Sequence, residues 1–239
     1  DRVIFLYSTG GVSHVDSFNH RPKLTADHGK SIIASRWLNQ SGEFKRFLVK
    51  PRYSFRQYGQ SGTWVSELFP RLGSVIDEVC VLNAMTCDSD GHDKATLAAH
   101  TGSAQFARPS AGSWVSYGLG TENQNLPGFV ALNPPRNAQN YGAAFLPAHY
   151  QGTRMDLGGR RLRQGREVEA MPNLDSSRLT RAAQREQLDL VQALNQAALR
   201  DAGGTHEGIE GMISAYELAF RMQDTLPEVI DVAKEPESI

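Results

Sequence analysis

Val3-Ile4-Phe5-Leu6-Tyr7, running into Ser8-Thr9-Gly10-Gly11, is the stretch on which the fold turns. An unbroken apolar run too short for an ordinary helix and closed by a Gly pair reads as a buried strand. Open α/β sheets carry their functional loops at the carboxyl ends of such strands. Further along, Glu78-Val79-Cys80-Val81-Leu82-Asn83 reads as a second buried strand. Between them, Val65, Leu68, Phe69, Leu72, Val75 and Ile76 fall at helical spacing, with Pro70 shortening or kinking that helix. Strand, helix and strand together suggest a parallel βαβ unit.

The pattern continues with a helix over Asp93 to His100, stopped by Thr101-Gly102, and a shorter one over Ser113 to Leu119. Gly128 to Leu132 reads as a third strand. Asp175-Ser176-Ser177 is the expected N-cap of a long helix with Leu188, Val191, Leu194 and Ala198 on one stripe, ended by Gly203-Gly204. A second helix over 207–223 places Ile209, Ile213, Tyr216 and Phe220 on one face. Both are expected to pack on a sheet. Residues 19–62 read as polar and irregular, and 133–175 as loop-rich, with Arg160, Arg161 and Arg163 in solvent. Three strands are few for 239 residues: either further strands hide in the loops or, the favoured expectation, chain beyond this segment supplies the rest of the sheet. An incomplete sheet would leave apolar edges and faces in solvent.

Twenty-five basic and 26 acidic residues leave a formal charge of −1. That balance argues against a nucleic acid or an anionic membrane as main partner, because both select a Lys/Arg excess. No apolar run approaches the ~20 residues of a membrane span. The chain opens with Asp1-Arg2 directly on the first strand, with no Met and no leader, so an upstream segment is expected to have been removed. Of the two cysteines, Cys80 is expected as a buried small hydrophobe and Cys87 in a polar loop; neither stands in a structural zinc spacing.

Two segments carry candidate chemistry. Thr9-Gly10-Gly11-Val12-Ser13-His14-Val15-Asp16 sets a hydroxyl, an imidazole and a carboxylate just past a strand end, and Gly10 and Gly11 would let an anion approach the backbone amides. His14 and Asp16 are donors of the kind a divalent metal takes. The plainer alternative is a capped turn in which Asp16 bonds backbone amides. Asp88-Ser89-Asp90-Gly91-His92-Asp93 gathers three carboxylates ahead of a helix, where they are solvated, metal-bound or capping; Asp93 marks the helix start, whose amides favour an anion. The spacing is not that of an EF-hand, and neither a P-loop nor a GxSxG elbow occurs.

At these motifs the chain resembles the bacterial family catalogued as domain of unknown function 1501. The resemblance rests on Val3 to Phe18, Gly59-Gln60-Ser61-Gly62, Ser66 to Pro70, His100 to Phe106, Arg108 to Gly120, Glu122 to Val130 and Tyr216 to Gln223. That family is similar to the alkaline phosphatase superfamily, sulfatases included. The resemblance implies a three-layer α/β/α sandwich, incomplete in this segment. Residues 1–239 would be the N-terminal part of one domain, with a strand-containing core over 1–135, a loop-rich excursion over 136–175 and a helical pair over 176–225. It also implies export to the periplasm or exterior and a small-molecule or polysaccharide ester substrate. A divalent metal (Zn, Ca or Mg) would be held by Asp16, Asp90 and His92, with His14 and His92 as catalytic groups. The sequence departs from sulfatases in two places. His92 stands where their Cys or Ser nucleophile begins a helix, and Thr9-Gly10-Gly11 stands where their first strand ends in paired aspartates. The expected activity is hydrolysis of sulfate or phosphate esters; the alternative is an inactive member that binds a ligand or surface.

Overall fold

Antiparallel hairpins supply the strands of the N-terminal residues. The computed structural model describes residues 2–37, 40–89, 91–156, 179–201, 203–204 and 206–229, and the chain divides into two units, 1–92 and 93–239.

In the first unit two short helices, α1 (His14–Ser17) and α2 (Pro22–Ala26), precede β1 (Ser31–Trp37) and β2 (Gln40–Phe47). These pair antiparallel from Ser31↔Phe47 to Trp37↔Gln40, with an irregularity between Ala34 and Arg36. A second hairpin joins β3 (Phe55–Tyr58) to β4 (Thr63–Ser66). Its turn, Gly59-Gln60-Ser61-Gly62, needs glycine at both ends, at φ +64° and +63°. Asp77 fixes that turn by accepting from the Gln60 and Ser61 N–H groups at 2.8 and 2.9 Å. Val65 and Ile76 are the buried apolar centre of this unit. The Tyr58 ring lies so close over Gly73 that a Cβ there would meet it at 2.6 Å.

Several expectations are corrected here. Residues 19–62 hold α2, β1, β2 and β3, and β4 begins just beyond them at Thr63, so strands lie inside the stretch expected to be irregular. Val65 belongs to β4, not to a helix. The helix that follows, α3 (Pro70–Ser74), starts at Pro70 because the missing proline N–H is harmless at the first helical position. Val3 to Tyr7 is not a strand, and Val3, Ile4, Phe5 and Leu6 are 58–88% exposed. Val79 to Leu82 is not a strand either, and Cys80 is exposed. An apolar run becomes a buried strand only where a neighbour supplies ladder bonds and a layer covers it. Among the described residues the ladders of this unit are made within 31–47 and 55–66, so no parallel βαβ unit forms over 3–83.

The second unit follows its sequence pattern more closely. α4 (His92–Thr101) stops at Gly102, which takes φ +73°. α5 (Ala111–Leu119) is capped by Ser110, whose hydroxyl accepts from the Ser113 N–H, and ends at Gly120 with φ +68°. The buried Ser110–Ser113 pair is satisfied through Gly142: the Ser110 N–H and the Ser113 hydroxyl each donate to its carbonyl at 3.0 Å. The third expected strand forms as β5 (Val130–Leu132), paired parallel with β6 (Thr153–Met155). Phe129, just before β5, sits against Gly112 and Gly152, where an added Cβ would come within 2.4 and 2.7 Å of its ring.

α6 (Arg181–Asp201) and α7 (Glu207–Val229) pack on each other. α6 ends at Gly203-Gly204, both at positive φ. Its inward stripe includes Leu188 and Val191 but then passes through Gln192 and Asn195, leaving Leu194 in solvent. The reason is polar: Gln192 donates to the Ile213 carbonyl at 2.9 Å, and Arg185 grips the Glu217 carboxylate with two bonds at 2.9 and 3.0 Å. Arg181 stacks on the Phe220 ring and bonds Gln223 and Asp224. The other face of α7 buries Met222 and Leu226 against Met155 of β6, with Leu126 and Leu218 beside them. α7 thus meets a sheet and a helix, while α6 meets α7. The expected N-cap at 175–177 and the arginines at 160, 161 and 163 lie outside the described residues. Among the described residues no helix is long and apolar enough to cross a membrane.

Candidate functional site

The segment from Ser8 to Ser17 forms a polar corner. Gly10 and Gly11 both take left-handed backbone, φ +86° and +74°, and the Gly11 N–H donates to the Ser8 carbonyl at 3.0 Å. No atom lies within 4 Å of where a side chain would stand on either glycine, so their backbone is open to approach. Ser13 precedes α1, and its hydroxyl donates to Asp16 Oδ2 at 2.7 Å. The Arg52 N–H donates to Asp16 Oδ1, also at 2.7 Å, so the carboxylate joins α1 to a loop 36 residues away. The Arg52 N–H first, and the Ser13 hydroxyl second, hold the Asp16 carboxyl below the usual carboxylate range. Asp16 therefore bonds a backbone amide, as the capped-turn alternative has it. His14, on the same short helix, is exposed.

The second polar segment is described in part. His92 begins α4 and is exposed, Asp93 follows in the first turn, and the Ser89 hydroxyl accepts from the Gly91 N–H at 3.2 Å. Asp90 lies outside the described residues. Among the described residues no three His, Cys, Asp or Glu side chains gather as a metal-holding group.

Three features escaped the sequence reading. His20 packs on Trp64 at 4.0 Å and on Phe55 at 5.3 Å, on the β3–β4 hairpin. Asp77 carries the same chemistry as Asp16, its carboxyl held low by the Ser61 and then the Gln60 N–H. In the second unit Trp114, Tyr117, Phe145 and Tyr150 form one connected set of rings. The Gly59-to-Gly62 turn and the Trp114/Tyr117 helical spacing are the only local signals for these; the partners are distant in sequence. His149 contacts Tyr150 at 3.9 Å, and burial pushes its imidazole below the usual histidine value. His100 Nδ1 bonds the Thr96 carbonyl at 2.8 Å, a helix-end tie.

Helices with small sheets, and a hydroxyl–imidazole–carboxylate corner at one end of a short helix, define an α/β protein with a polar candidate site. The family model described as "Protein of unknown function (DUF1501)" matches residues 1–239, and the chain belongs to that family. Comparison with the curated proteins and with the solved structures gave no match.

Proposed function

We propose that this chain is part of an exported, metal-dependent hydrolase of sulfate or phosphate esters, carried on an alkaline-phosphatase-like α/β/α sandwich. The resemblance supplies the sandwich, the periplasmic or extracellular location and the small-molecule or polysaccharide ester substrate. The observation that carries the reading is Asp16: a carboxylate kept ionised by two donors, on the helix that also presents His14 to solvent.

Two carboxylates and an imidazole are donors of the types that a divalent cation takes. Each carboxylate oxygen has two lone pairs, so Asp16 keeps acceptor capacity after binding the Arg52 N–H and the Ser13 hydroxyl. Asp16, Asp90 and His92 would hold the ion, and an imidazole among oxygen donors favours zinc over magnesium or calcium. When bound, such an ion supplies Lewis-acid polarisation of the ester oxygen. The chain's own residues do the rest. Gly10 and Gly11 leave their backbone open to a substrate anion, and Asp93 marks a helix start whose free amides favour an anion. His14 is the proton donor to the leaving group, and His92 is the metal ligand or the nucleophile.

The test is turnover of an aryl phosphate and an aryl sulfate by the full-length protein with zinc, magnesium or calcium. Wild-type protein is expected to turn over one ester, and His14→Ala to lower the rate by roughly 10²- to 10⁴-fold, the usual span for a general acid. No turnover of either ester with any of the metals sinks the proposal. A second reading, an inactive member that binds a ligand or surface, is favoured by the fact that both Asp16 oxygens already accept bonds from their own chain.

A further inference from the structure

The loop that carries Arg52 is tied at three points within five residues. The Lys50 N–H donates to His28 Nδ1 at 3.3 Å, the Arg52 N–H to Asp16 Oδ1 at 2.7 Å, and the Ser54 hydroxyl to Glu67 Oε2 at 2.6 Å. The Glu67 N–H returns a bond to the Ser54 carbonyl at 3.0 Å. None of these ties uses the Arg52 side chain, which is exposed. Among the described residues its guanidinium makes no hydrogen bond, ion pair or ring contact. Its charge is near enough to add, after the Arg52 N–H and the Ser13 hydroxyl, to what holds Asp16 ionised.

A fixed backbone that carries an unused guanidinium beside a polar corner is suited to bind an anion. The planar fork of N–H donors matches two oxygens of a tetrahedral oxyanion. The corner needs such a group. Asp16 is itself an anion, and it repels an incoming sulfate or phosphate ester unless a cation offsets the charge. Asp16 does not consume the guanidinium, because its two oxygens accept from the Arg52 N–H and the Ser13 hydroxyl. Gly10 and Gly11 present open backbone on the segment that carries Asp16.

We propose that Arg52 is an oxyanion-binding residue of the Asp16 corner, its guanidinium taking two oxygens of the sulfate or phosphate group of an ester. The assignment rests on the ester-hydrolase reading and adds to it a residue that discriminates for the anionic group itself.

The experiment is calorimetric titration of the full-length protein with inorganic sulfate and, separately, inorganic phosphate, with and without zinc. The proteins are wild type, Arg52→Gln, Arg52→Lys and Arg56→Gln. Wild type is expected to bind at least one of the two anions. Arg52→Gln should weaken that binding at least about tenfold, the scale of a lost charge-assisted hydrogen bond. Arg52→Lys keeps the charge without the fork and should fall between them. Arg56 is exposed on β3 and stacks on the Tyr58 ring at 4.2 Å, so Arg56→Gln should bind as wild type does. The ties of the loop use the Arg52 backbone, so both Arg52 variants are expected to keep them. The proposal is overturned by wild type that binds neither anion, by equal affinity in wild type and Arg52→Gln, or by an equal loss in Arg56→Gln. Turnover separates it from the reading it rests on. Ester turnover with an anion affinity independent of Arg52 sinks the inference alone. Arg52-dependent anion binding without turnover sinks the hydrolase reading alone.

Discussion

In residues 2–89 the long-range ties include carboxylates on backbone amides: Asp16 on Arg52, and Asp77 on Gln60 and Ser61. In residues 93–229 they are an apolar cluster of Met155, Met222 and Leu226, and arginines laid along a neighbouring helix. The first unit keeps few apolar side chains from water and leaves Val3 to Leu6 exposed; the second buries one face of α7 on a strand. Loops held by charge-assisted bonds respond to acid. A helix held by apolar burial responds to lost volume. The same chain therefore contains two kinds of stability that different perturbations separate.

The largest effect is expected from Met222→Ala. Met222 is 5% exposed, and truncating a buried Met to Ala costs about 2–5 kcal/mol. Amide exchange should accelerate in peptides from α7 and β6 and stay unchanged in the β3–β4 hairpin; equal acceleration in both would show that the units unfold together. Gly59→Ala comes next, acting on the other unit. Its Cβ would lie 2.3 Å from Asp77 Oδ1, at φ +64°, so strain and overpacking should cost about 1–3 kcal/mol and speed exchange at Gln60 and Ser61. Unchanged exchange there would mean that the Asp77 clamp does not hold the turn.

Acid gives the smallest and most selective effect. Asp16 and Asp77 have folded-state values below their ordinary 3.8. Their contribution to stability is complete above 3.8 and is lost as pH falls through the lowered folded values. His149, also depressed, acts in another window: its contribution is complete above 6.5 and falls as pH drops below that value. Exchange in the 59–62 turn should rise only in the acid range and that around Tyr150 from near neutrality. The reverse order would contradict the assignment of these ties.

The uneven legibility of the sequence follows from the same contrast. α4, α5, α6 and α7 announce themselves locally, through Ser110, Gly102, Gly120 and Gly203-Gly204, because a helix makes its bonds within itself. In the β1–β2 hairpin the adjacent Ile32 and Ile33 are both exposed, with Arg46 and Lys45 opposite them, so the sequence lacks the alternation that marks a half-buried strand. Val3 to Tyr7 and Val79 to Leu82 have the composition of buried strands, but composition does not supply a ladder partner. In the candidate site, Ser13, His14 and Asp16 could be read as neighbours. The Arg52 amide could not, because a backbone N–H has no signature in sequence.

Asp16 and Asp77 offer the most direct test of the proposed function. Both are carboxylates held on backbone amides, and only Asp16 stands beside His14. The measurement is zinc binding to the full-length protein by calorimetry, for wild type, Asp16→Asn and Asp77→Asn. The account predicts binding by wild type and Asp77→Asn, with at least a tenfold loss in Asp16→Asn. Equal zinc affinity in all three proteins, or no binding by wild type, would contradict it and leave Asp16 as the cap of a turn.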